Sequence, residues 1–580
     1  LGCCIPQNMR SAGAAFGLVN AMRIGPDNGA NWASMMRGPE FGAWQYFLNG
    51  RVWYNDPDPL YVRPSLPLEH AQAICSWVTL SGQMNSSSEN YAGLPADRLD
   101  MLTRTMPSHH AVARPVDLFE NRIPGVWLVT DTASGVRRDV IGLFNWDSTE
   151  KAFDLSLAKI GLPASGEHIA FDFWGNALTP PFKDRLVQTL RPQSCQVLSV
   201  RPVANHPQLI STSRHITQGM IEVKDEKWDA KRRVLSGVSQ TVAGDRYELR
   251  ILTYTGAGAT VGAVASAAIT GPNGYELTIG PGDGLVTRPD DAYSNANTPG
   301  APMTTLFEPK TEEGLVRVAF TSGTGGPIAW RVTFSGTPAP ALVPAASALN
   351  VEMPDIYGPA VLSWQSNTRA CEIRRDGHVV APVAIGGTWR DSRVQSEATY
   401  RYEVIPYTLS GARGEPQSAT FKVPAIPQLG DVPPKPDVRL DGLKPLKTAV
   451  GWGSFKTGVS LNGPLRLGKE TFASGICIHA DGYATYTRDP AWRRFVAVVG
   501  IDESQRPQNQ SSVIFSVAAE AADGRRVLAT SPVIRFGQRE RWHFNLELPK
   551  DAERVVLLTE SAGDGNKSDH GDWCDAGFIK

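Results

Sequence analysis

The sequence predicts a multi-domain protein that begins with an α/β segment and continues through several all-β sandwich domains. At 580 residues, the chain is longer than the roughly 250–300 residues at which a single core stops growing. Strand and helix patterns alternate only in residues 1–108, which indicates βα units and a parallel sheet. After that point, short strands bounded by Gly, Pro, Asn or Asp follow one another, as in antiparallel sheets.

The same patterns set the expected domain boundaries. The predicted domains are, in order, residues 1–108, 109–205, 206–345, 346–425 and 441–580, with a Pro-rich, extended linker at 426–440. The strands of the fourth domain have the spacing of a sandwich of about seven strands. Its segment from Tyr400 to Val404 resembles a late strand of fibronectin type III modules.

Composition argues against several kinds of partner. The 57 Lys and Arg nearly cancel the 58 Asp and Glu, for a net charge of -1, and no block of like charge suggests a nucleic-acid surface. No run reaches the roughly 18 apolar residues of a membrane span.

The seven cysteines are scattered without zinc spacing, and Cys477 and Cys574 are the first pair to test as a disulfide. Fifteen Trp favour aromatic surfaces that face sugars.

A carboxylate follows one of the early strands. Asp27 comes after the apolar run GLVNAMRI and a Gly-Pro corner, and Pro26 fixes the backbone just before it. Glycoside hydrolysis needs two carboxyl groups, one of which protonates the leaving oxygen, so Asp27 is the candidate acid. Arg23 could hold sugar hydroxyls or the partner carboxylate. Alternatively, Asp27 caps a helix that starts near Asn31.

Two further carboxylates lie in the segment from Trp53 to Asp58. Asp56 and Asp58 each precede a proline and are therefore pushed towards extended backbone, which places both side chains on one side. Beside the ring of Trp53, they could receive sugar hydroxyls and the CH face of a pyranose. A surface Asx-Pro turn is the alternative interpretation.

Taken together, these motifs resemble the second half of the catalytic barrel in alpha-galactosidases and their clan D glycoside hydrolase relatives. The resemblance rests on their order: a Cys-containing strand at 1–6, Arg23 and Asp27, the Asn-Asp-Pro-Asp motif, and an apolar helix that runs into a final strand at 76–87. It implies that residues 1–108 form part of a (β/α)8 barrel. The final strand departs from the Ser-Asn-Asp-Leu of closer relatives, which leaves the exact sugar open.

The same resemblance implies roles for individual residues. Asp27 takes the acid/base role of a retaining mechanism, Arg23 and Asp58 contact substrate, and Cys4 falls where relatives read the 2-position of the sugar. The family's nucleophile ends an earlier barrel strand, so we expect an N-terminally incomplete chain that lacks the nucleophile and is inactive as given. The missing N-terminal half of the barrel is then an expected partner.

The last domain carries a second resemblance. Its stretches from Gly475 to Ala480 and from Ser568 to Trp573 resemble the NPCBM carbohydrate-binding family. That resemblance implies a terminal jelly roll, galactose binding in some relatives and a possible structural calcium.

Four residues of this domain are candidates for sugar binding. They are Trp452, His479, Asp572 and Trp573, which offer rings for stacking and polar groups for hydroxyls. Alternatively, His479 and Trp573 are core residues that hold the two sheets together.

The sequence therefore predicts a retaining glycoside hydrolase that cleaves terminal alpha-linked galactose or N-acetylgalactosamine. The predicted ligand is a galactose-containing glycan, no cofactor is expected for catalysis, and the metal ligands are unknown. The alternative is a non-catalytic glycan-binding or adhesion protein with a decayed barrel. Proteins with such modules act outside the cytoplasm, so we expect an extracellular or periplasmic location.

Overall fold

A computed structural model describes most of the chain. The described residues are 2–3, 13–109, 111–133, 135–163, 165–256, 261–271, 274–290, 301–338, 342–354, 356–409, 411–426, 428–506, 511–536, 539–562 and 565–580. The chain divides into two compact units, Leu1–Pro424 and Ala425–Lys580, called unit 1 and unit 2. None of the described helices is long and apolar enough to cross a membrane.

Unit 1 begins with helices around a small parallel sheet. The helices are α1 (Trp32–Met35), α2 (Arg37–Trp44), α3 (Leu68–Ser81) and α4 (Ala96–Thr103), with 3-10 turns at Gly13–Ala15, Tyr46–Leu48 and Tyr91–Gly93. The strands are β1 (Gly2–Cys3), β2 (Ala21–Arg23) and β3 (Tyr54–Asp56), which pair in parallel in that order.

The prediction of a partial (β/α)8 barrel is wrong. The structure is 47% strand and 10% helix, and the parallel sheet of the described residues has only these three short strands. The expected final barrel strand at 76–87 starts as helix, because α3 continues to Ser81 and ends at Gly82 in the left-handed conformation of a helix C-cap. The run is apolar enough to suit either a buried helix or a strand.

An antiparallel β domain covers α3. Its elements are β4 (Val112–Pro115), β5 (Val126–Asp131), β6 (Arg138–Asn145), β7 (Lys151–Ser156), α5 (Leu157–Ile160), β8 (Glu167–Asp172), β9 (Ala177–Leu178), β10 (Phe182–Lys183), β11 (Arg185–Leu190) and β12 (Ser194–Pro202). One sheet has the order β10-β8-β12-β6-β5-β4 with β9 on β8, and β11 pairs with β7. Trp77 of α3 meets Trp127 of β5 edge to face at 6.2 Å, so the apolar face of α3 packs on this sheet.

Two sheets packed on a common core follow. Their strands are β13 (Gln208–Thr212), β14 (Val223–Asp229), β15 (Val234–Thr241), β16 (Arg246–Leu252), β17 (Gly262–Thr270), β18 (Glu276–Ile279), β19 (Leu285–Pro289), β20 (Met303–Phe307), β21 (Lys310–Glu312), β22 (Leu315–Thr321) and β23 (Gly326–Pro338). The orders are β13-β16-β22-β20-β19, with β21 on β22, and β14-β15-β23-β17-β18. Tyr247, Phe320 and Trp330 fill the space between the sheets.

Unit 1 ends in a smaller pair of sheets. The strands are β24 (Ala346–Glu352), β25 (Ala360–Ser366), β26 (Ala370–Arg375), β27 (His378–Ile385), β28 (Thr388–Asp391), β29 (Thr399–Tyr407) and β30 (Gln417–Lys422). They form sheets β24-β25-β28 and β27-β26-β29-β30 around buried Trp364 and Tyr402. The arrangement supports a β sandwich, but the fibronectin type III assignment is not supported beyond that.

Unit 2 is also a sandwich. Its strands are β31 (Val438–Arg439), β32 (Lys447–Ala449), β33 (Lys456–Thr457), β34 (Arg466–Leu467), β35 (Glu470–Thr471), β36 (Gly475–His479), β37 (Gly482–Thr487), β38 (Arg494–Ile501), β39 (Val513–Ala521), β40 (Gly524–Thr530), β41 (Arg541–Glu547), β42 (Arg554–Ser561) and β43 (His570–Ile579), with 3-10 turns at Leu440–Gly442 and Glu503–Gln505. The sheets are β33-β36-β43-β38-β41, with β31 on β43, and β32-β37-β42-β39-β40, beside a β34-β35 hairpin.

Trp573 lies at the centre of unit 2. Its side chain is fully buried, its indole N–H donates to Thr559 Oγ1 at 3.0 Å, and its ring packs edge to face on Phe515. Cys477 and Cys574, the first pair to test as a disulfide, are both free thiols within a small apolar cluster.

Replacing Trp573 with Ala should destabilise unit 2 by about 3–5 kcal/mol, because it removes a fully buried ring and leaves a cavity. Calorimetry of the whole chain should show one unfolding transition moved to lower temperature. Trp452→Ala is the matched control, since that ring is 62% exposed and its loss should change stability by only about 0.5 kcal/mol. Equal shifts for the two variants would contradict the core role of Trp573.

Candidate functional site

The first candidate site lies where two parallel strands end. Arg23, the last residue of β2, is paired in register with Asp56, the last residue of β3. Because the strands are parallel, both carboxyl ends lie at one edge of the sheet, and the loops after them carry Asp27 and Asp58. The structure therefore brings together the two polar segments that the sequence places some thirty residues apart.

Arg23 is the centre of this cluster. Its Nη1 donates to Asp27 Oδ1 at 2.8 Å, its Nη2 pairs with Asp58 Oδ1, and its Nε lies 3.7 Å from Asp56 Oδ2. Burial of the guanidinium opposes its charge, but the hydrogen bond to Asp27 and the charges of Asp58 and Asp56 outweigh that effect and raise the pKa of Arg23. The cation is thus permanent and holds three carboxylates in place.

Asp58 takes an unusual backbone conformation. Its φ is 72°, in the left-handed region, although a residue before proline is expected to be extended. Its N–H donates to Asp56 Oδ1 at 3.0 Å, and its own carboxylate accepts from the backbone N–H of Asn28. Asp56 and Asp58 both approach Arg23, and a tight turn, not the extended backbone expected from the sequence, brings them there.

Asp27 is the most accessible member of the cluster. Its side chain is 91% exposed, and its backbone carbonyl accepts from Arg37. The alternative role as a helix cap is filled by Asn31, whose Oδ1 accepts from the N–H of Ser34 at 3.0 Å at the start of α1. Asp27 is therefore held at the surface by Arg23 with a face open to solvent.

Trp53 lies inside the protein. Its side chain is 3% exposed and packs with Met22 and Leu48, so its ring offers no open face to a sugar. Its indole N–H donates to Asn55 Oδ1 at 3.0 Å. Cys4, the remaining predicted contact of this region, lies outside the described residues.

Sequence reasoning missed the amides that hold the strand ends. Asn55 is fully buried, and its Nδ2 donates to the carbonyl of Gln45 at 3.0 Å. Gln45 in turn donates from Nε2 to the carbonyl of Ile24 at 2.9 Å. Strand alternation could have identified Asn55 as buried. Its neighbours in β3 are Tyr54 and Asp56, and successive residues of a strand point to opposite faces of the sheet.

Asp58→Asn should destabilise the protein more than Asp27→Asn does. The Asp58 carboxylate is 9% exposed, and breaking a buried charge pair costs up to about 3–5 kcal/mol. The Asp27 pair is largely exposed and contributes about 0–1 kcal/mol. Urea unfolding of both variants tests this order, and a larger loss for Asp27→Asn would contradict it.

The second candidate site lies in unit 2, where two strands of one sheet meet. His479, the last residue of β36, is paired with His570, the first residue of β43. Their rings are 5.1 Å apart, and both side chains are nearly buried. The ring of Trp452 lies 5.8 Å from His479 and 6.0 Å from His570, stacked at 19° on the latter. This aromatic cluster presents one largely exposed indole.

Both histidines are uncharged at neutral pH. Burial and the neighbouring His479 lower the pKa of His570 to about 4, although the charge of Asp502 acts in the other direction. Burial also lowers the pKa of His479, whose Nδ1 lies 2.6 Å from the carbonyl oxygen of Ala480. A neutral imidazole can both donate and accept, as a sugar hydroxyl requires.

Two other predicted residues of unit 2 lie inside it. Asp572 is fully buried, accepts from Ser460 Oγ at 2.9 Å, and has a pKa raised by burial and by Asp502. Trp573 forms the core described above, as the alternative interpretation has it. His570 was not proposed as a ligand from the sequence, although its position two residues before Asp572 places both on one face of β43.

No group of three or more His, Cys, Asp or Glu side chains in the described part of the chain could hold a metal ion. Calcium also binds backbone carbonyls and amide side chains, so a structural calcium in unit 2 stays a prediction.

Protein stability should fall as the pH drops from about 6.5 towards 4. The unfolded chain protonates histidine near pH 6.5, whereas folded His570 does so only near pH 4, so the unfolded state binds the extra proton in that window. His570→Gln should weaken this loss, as thermal melts at pH 7 and 5 would show. His543→Gln, in unit 2 but outside the pair of His479 and His570, is the control. An equal effect of His543→Gln and His570→Gln on the pH dependence would contradict the assignment of this loss to His570.

Unit 2 is therefore a β sandwich that presents an exposed indole beside two neutral imidazoles. Residues 436–579 match the NPCBM/NEW2 domain family, which confirms that prediction for the C-terminus. A relative from Renibacterium salmoninarum, named "Putative endo-alpha-N-acetylgalactosaminidase", is 28% identical over 198 residues. The aligned residues make up 33% of this chain and span only 12% of that relative's length.

Solved structures show weaker likenesses. The CBM51 of Clostridium perfringens GH95, solved with methyl-galactose, is 21% identical, with 24% of this chain and 99% of that chain covered and a TM-score of 0.22. A GH27 β-L-arabinopyranosidase from Geobacillus stearothermophilus is 17% identical, with 35% and 50% covered and a TM-score of 0.32. At these scores the likeness establishes no shared fold. The family match supports a carbohydrate-binding domain at the C-terminus.

Proposed function

We propose that this chain belongs to a glycoside hydrolase that acts on alpha-linked N-acetylgalactosamine or galactose and binds its glycan through unit 2. The observation that carries the binding half is the cluster of Trp452, His479 and His570 within the segment that matches a carbohydrate-binding family. The name of the Renibacterium salmoninarum relative supports N-acetylgalactosamine as the sugar. An extracellular or periplasmic location follows from such a ligand.

In unit 2, the sugar ring would stack on Trp452 and hydrogen-bond to the histidines. The indole is 62% exposed, and an indole face suits the CH face of a pyranose. The neutral imidazoles supply a donor and an acceptor to the hydroxyls of an uncharged sugar.

In unit 1, Asp27 would serve as the general acid and then as the base. It would protonate the leaving glycosidic oxygen and later remove a proton from the attacking water, as a retaining mechanism requires. Its exposure supports this role, and the bond from Arg23 orients it. The nucleophile of such a mechanism stands about 5–5.5 Å from the acid, and we assign it to no described residue.

A second function is favoured by the state of the other carboxylates. Asp58 accepts from Arg23 and from the backbone N–H of Asn28, and Asp56 accepts from the N–H of Asp58, so both carboxylates hold the two strand ends together. This observation favours a non-catalytic glycan-binding protein in which Arg23 and its carboxylates stabilise the strand ends.

Trp452→Ala should weaken binding of methyl-galactoside or N-acetylgalactosamine at least about tenfold, which corresponds to about 1.4 kcal/mol. Calorimetric titration of the whole chain measures this loss. Val527→Ala, another exposed residue of unit 2, is the control and should bind normally. Unchanged binding in Trp452→Ala would remove the aromatic cluster from the proposal.

Asp27→Asn separates the catalytic proposal from its rival. In the full chain, assayed on aryl alpha-N-acetylgalactosaminide, loss of the acid should lower kcat by about 10²–10⁴-fold. Asp154→Asn breaks a comparable exposed pair with Arg185, at 2.6 Å, and should leave the rate unchanged. Equal rates in the wild type and Asp27→Asn would exclude the acid/base role, and no hydrolysis in either would favour the non-catalytic protein.

A further inference from the structure

An exposed carboxylate stands at the edge of the aromatic cluster. Asp481 lies in the turn that joins β36 to β37, two residues after His479, and it is exposed to solvent. Burial lowers the pKa of His479, whereas the bond to Ala480 and the charge of Asp481 act in the other direction. The carboxylate therefore acts on one imidazole of the cluster while it stays open to a ligand.

The loop that carries Trp452 packs directly on the backbone of this turn. The N–H of Gly451 donates to the carbonyl of His479 at 3.1 Å. A Cβ at Gly451 would clash with the carbonyl oxygen of Ala480 and would lie 2.5 Å from the backbone nitrogen of Asp481, so this approach requires glycine. Because Trp452 is the next residue of the chain, its exposed indole and the turn of Asp481 are neighbours at the surface.

Ser561, the last residue of β42, fixes the carboxylate of Asp481. Its backbone N–H donates to Asp481 Oδ1 at 2.7 Å, and its hydroxyl donates to Oδ2 at 3.4 Å. An ionised carboxylate can accept about four hydrogen bonds, and the two from Ser561 leave acceptor positions for a ligand. The carboxylate is thus held in place with part of its capacity unused.

A fixed carboxylate complements the two imidazoles. A neutral imidazole offers one donor and one acceptor, whereas an ionised carboxylate only accepts. It therefore selects donors such as sugar hydroxyls, and hydrogen bonds to an ionised group are roughly twice as strong as those between neutral groups. A site built to hydrogen-bond a hydroxyl discriminates strongly against an analogue that lacks it.

We propose that Asp481 is a specificity-determining residue of the aromatic cluster, which accepts hydrogen bonds from hydroxyls of the sugar stacked on Trp452, with Ser561 as its positioning residue. The ligand is then an uncharged pyranose, because a sugar with an anionic group at that place would be repelled. This inference deepens the proposed function of unit 2 and rests on it. It concerns binding alone and does not involve Asp27.

Calorimetric titration of the whole chain with methyl-galactoside tests the role of Asp481. Asp481→Asn keeps an oxygen that can accept from Ser561 but removes the charge, so affinity should fall at least about tenfold while the melting temperature changes little. Asp489→Asn is the matched control, because Asp489 is also exposed and its Oδ1 accepts one backbone N–H, from Ala491 at 2.8 Å. This control should bind normally.

Monodeoxy derivatives of methyl-galactoside identify the hydroxyl that Asp481 contacts. In the wild type, removal of that hydroxyl should weaken binding at least about tenfold. Asp481→Ala should bind this deoxy sugar and the parent sugar nearly alike, because the acceptor is gone. A merely structural role of Asp481 would instead weaken all the sugars by the same factor, and that result would overturn the proposal.

The failure of this inference is distinguishable from the failure of the proposed function. If Trp452→Ala weakens galactoside binding but Asp481→Asn and Asp481→Ala do not, the role of Asp481 is overturned and the proposed sugar site stands. If the wild type binds neither methyl-galactoside nor N-acetylgalactosamine at millimolar concentrations, the proposed function itself is overturned, and the role of Asp481 with it.

Discussion

Burial of one face of each sheet against another element is the constraint on which the rest of this structure depends. Trp330, Trp364 and Trp573 each lie in a core between paired sheets, and Trp77 of α3 packs on the antiparallel domain. Because these large side chains are used for packing, most of the Trp content that suggests sugar-facing surfaces lies inside. Because core side chains fill the inner faces of the sheets, the positions available to ligands are mainly the strand ends and the loops beside them.

Both candidate sites follow from that division. Arg23 and Asp56 are the last residues of neighbouring parallel strands, and His479 and His570 are paired ends of antiparallel strands. At a strand end the backbone is still fixed by its ladder, while the loops beside it carry the exposed members of each site, Asp27 and Trp452. Such positions combine order with access, which is what a binding site requires.

Strand ends were also what could be predicted from the sequence. The runs GLVNAMRI and GRVWYN were predicted as strands, and β2 and β3 end at Arg23 and Asp56, because local alternation and turn residues determine where a strand stops. The number of strands in the sheet could not be predicted in the same way, since it depends on pairings between distant segments. The barrel prediction therefore failed although the pairing of β2 with β3 has the parallel direction it needed.

The direction of each side chain was the second feature that could not be predicted from the sequence. In Trp53 to Asp58 and in His570 to Trp573, the motif is a run of neighbours, yet successive residues of a strand point to opposite faces. Asn55 and Trp573 face the interior while Asp56 and His570 face their sites. A motif of consecutive residues thus mixes ligand contacts with core, and only the packing of the opposite face decides which is which.

The cluster around Arg23 and the cluster around His479 and His570 accommodate buried polar groups in different ways. Around Arg23, one permanent cation is matched to carboxylates, so the cluster is ordered by charge. Around His479 and His570, burial lowers the pKa of both rings, and the neighbouring His479 lowers that of His570 further. A fixed charge that is already paired with carboxylates adds little to the binding free energy of a neutral sugar. Neutral groups that can donate or accept form hydrogen bonds with its hydroxyls. On this argument the histidine cluster suits the uncharged sugar of the proposed function, and the Arg23 cluster holds Asp27 in one place.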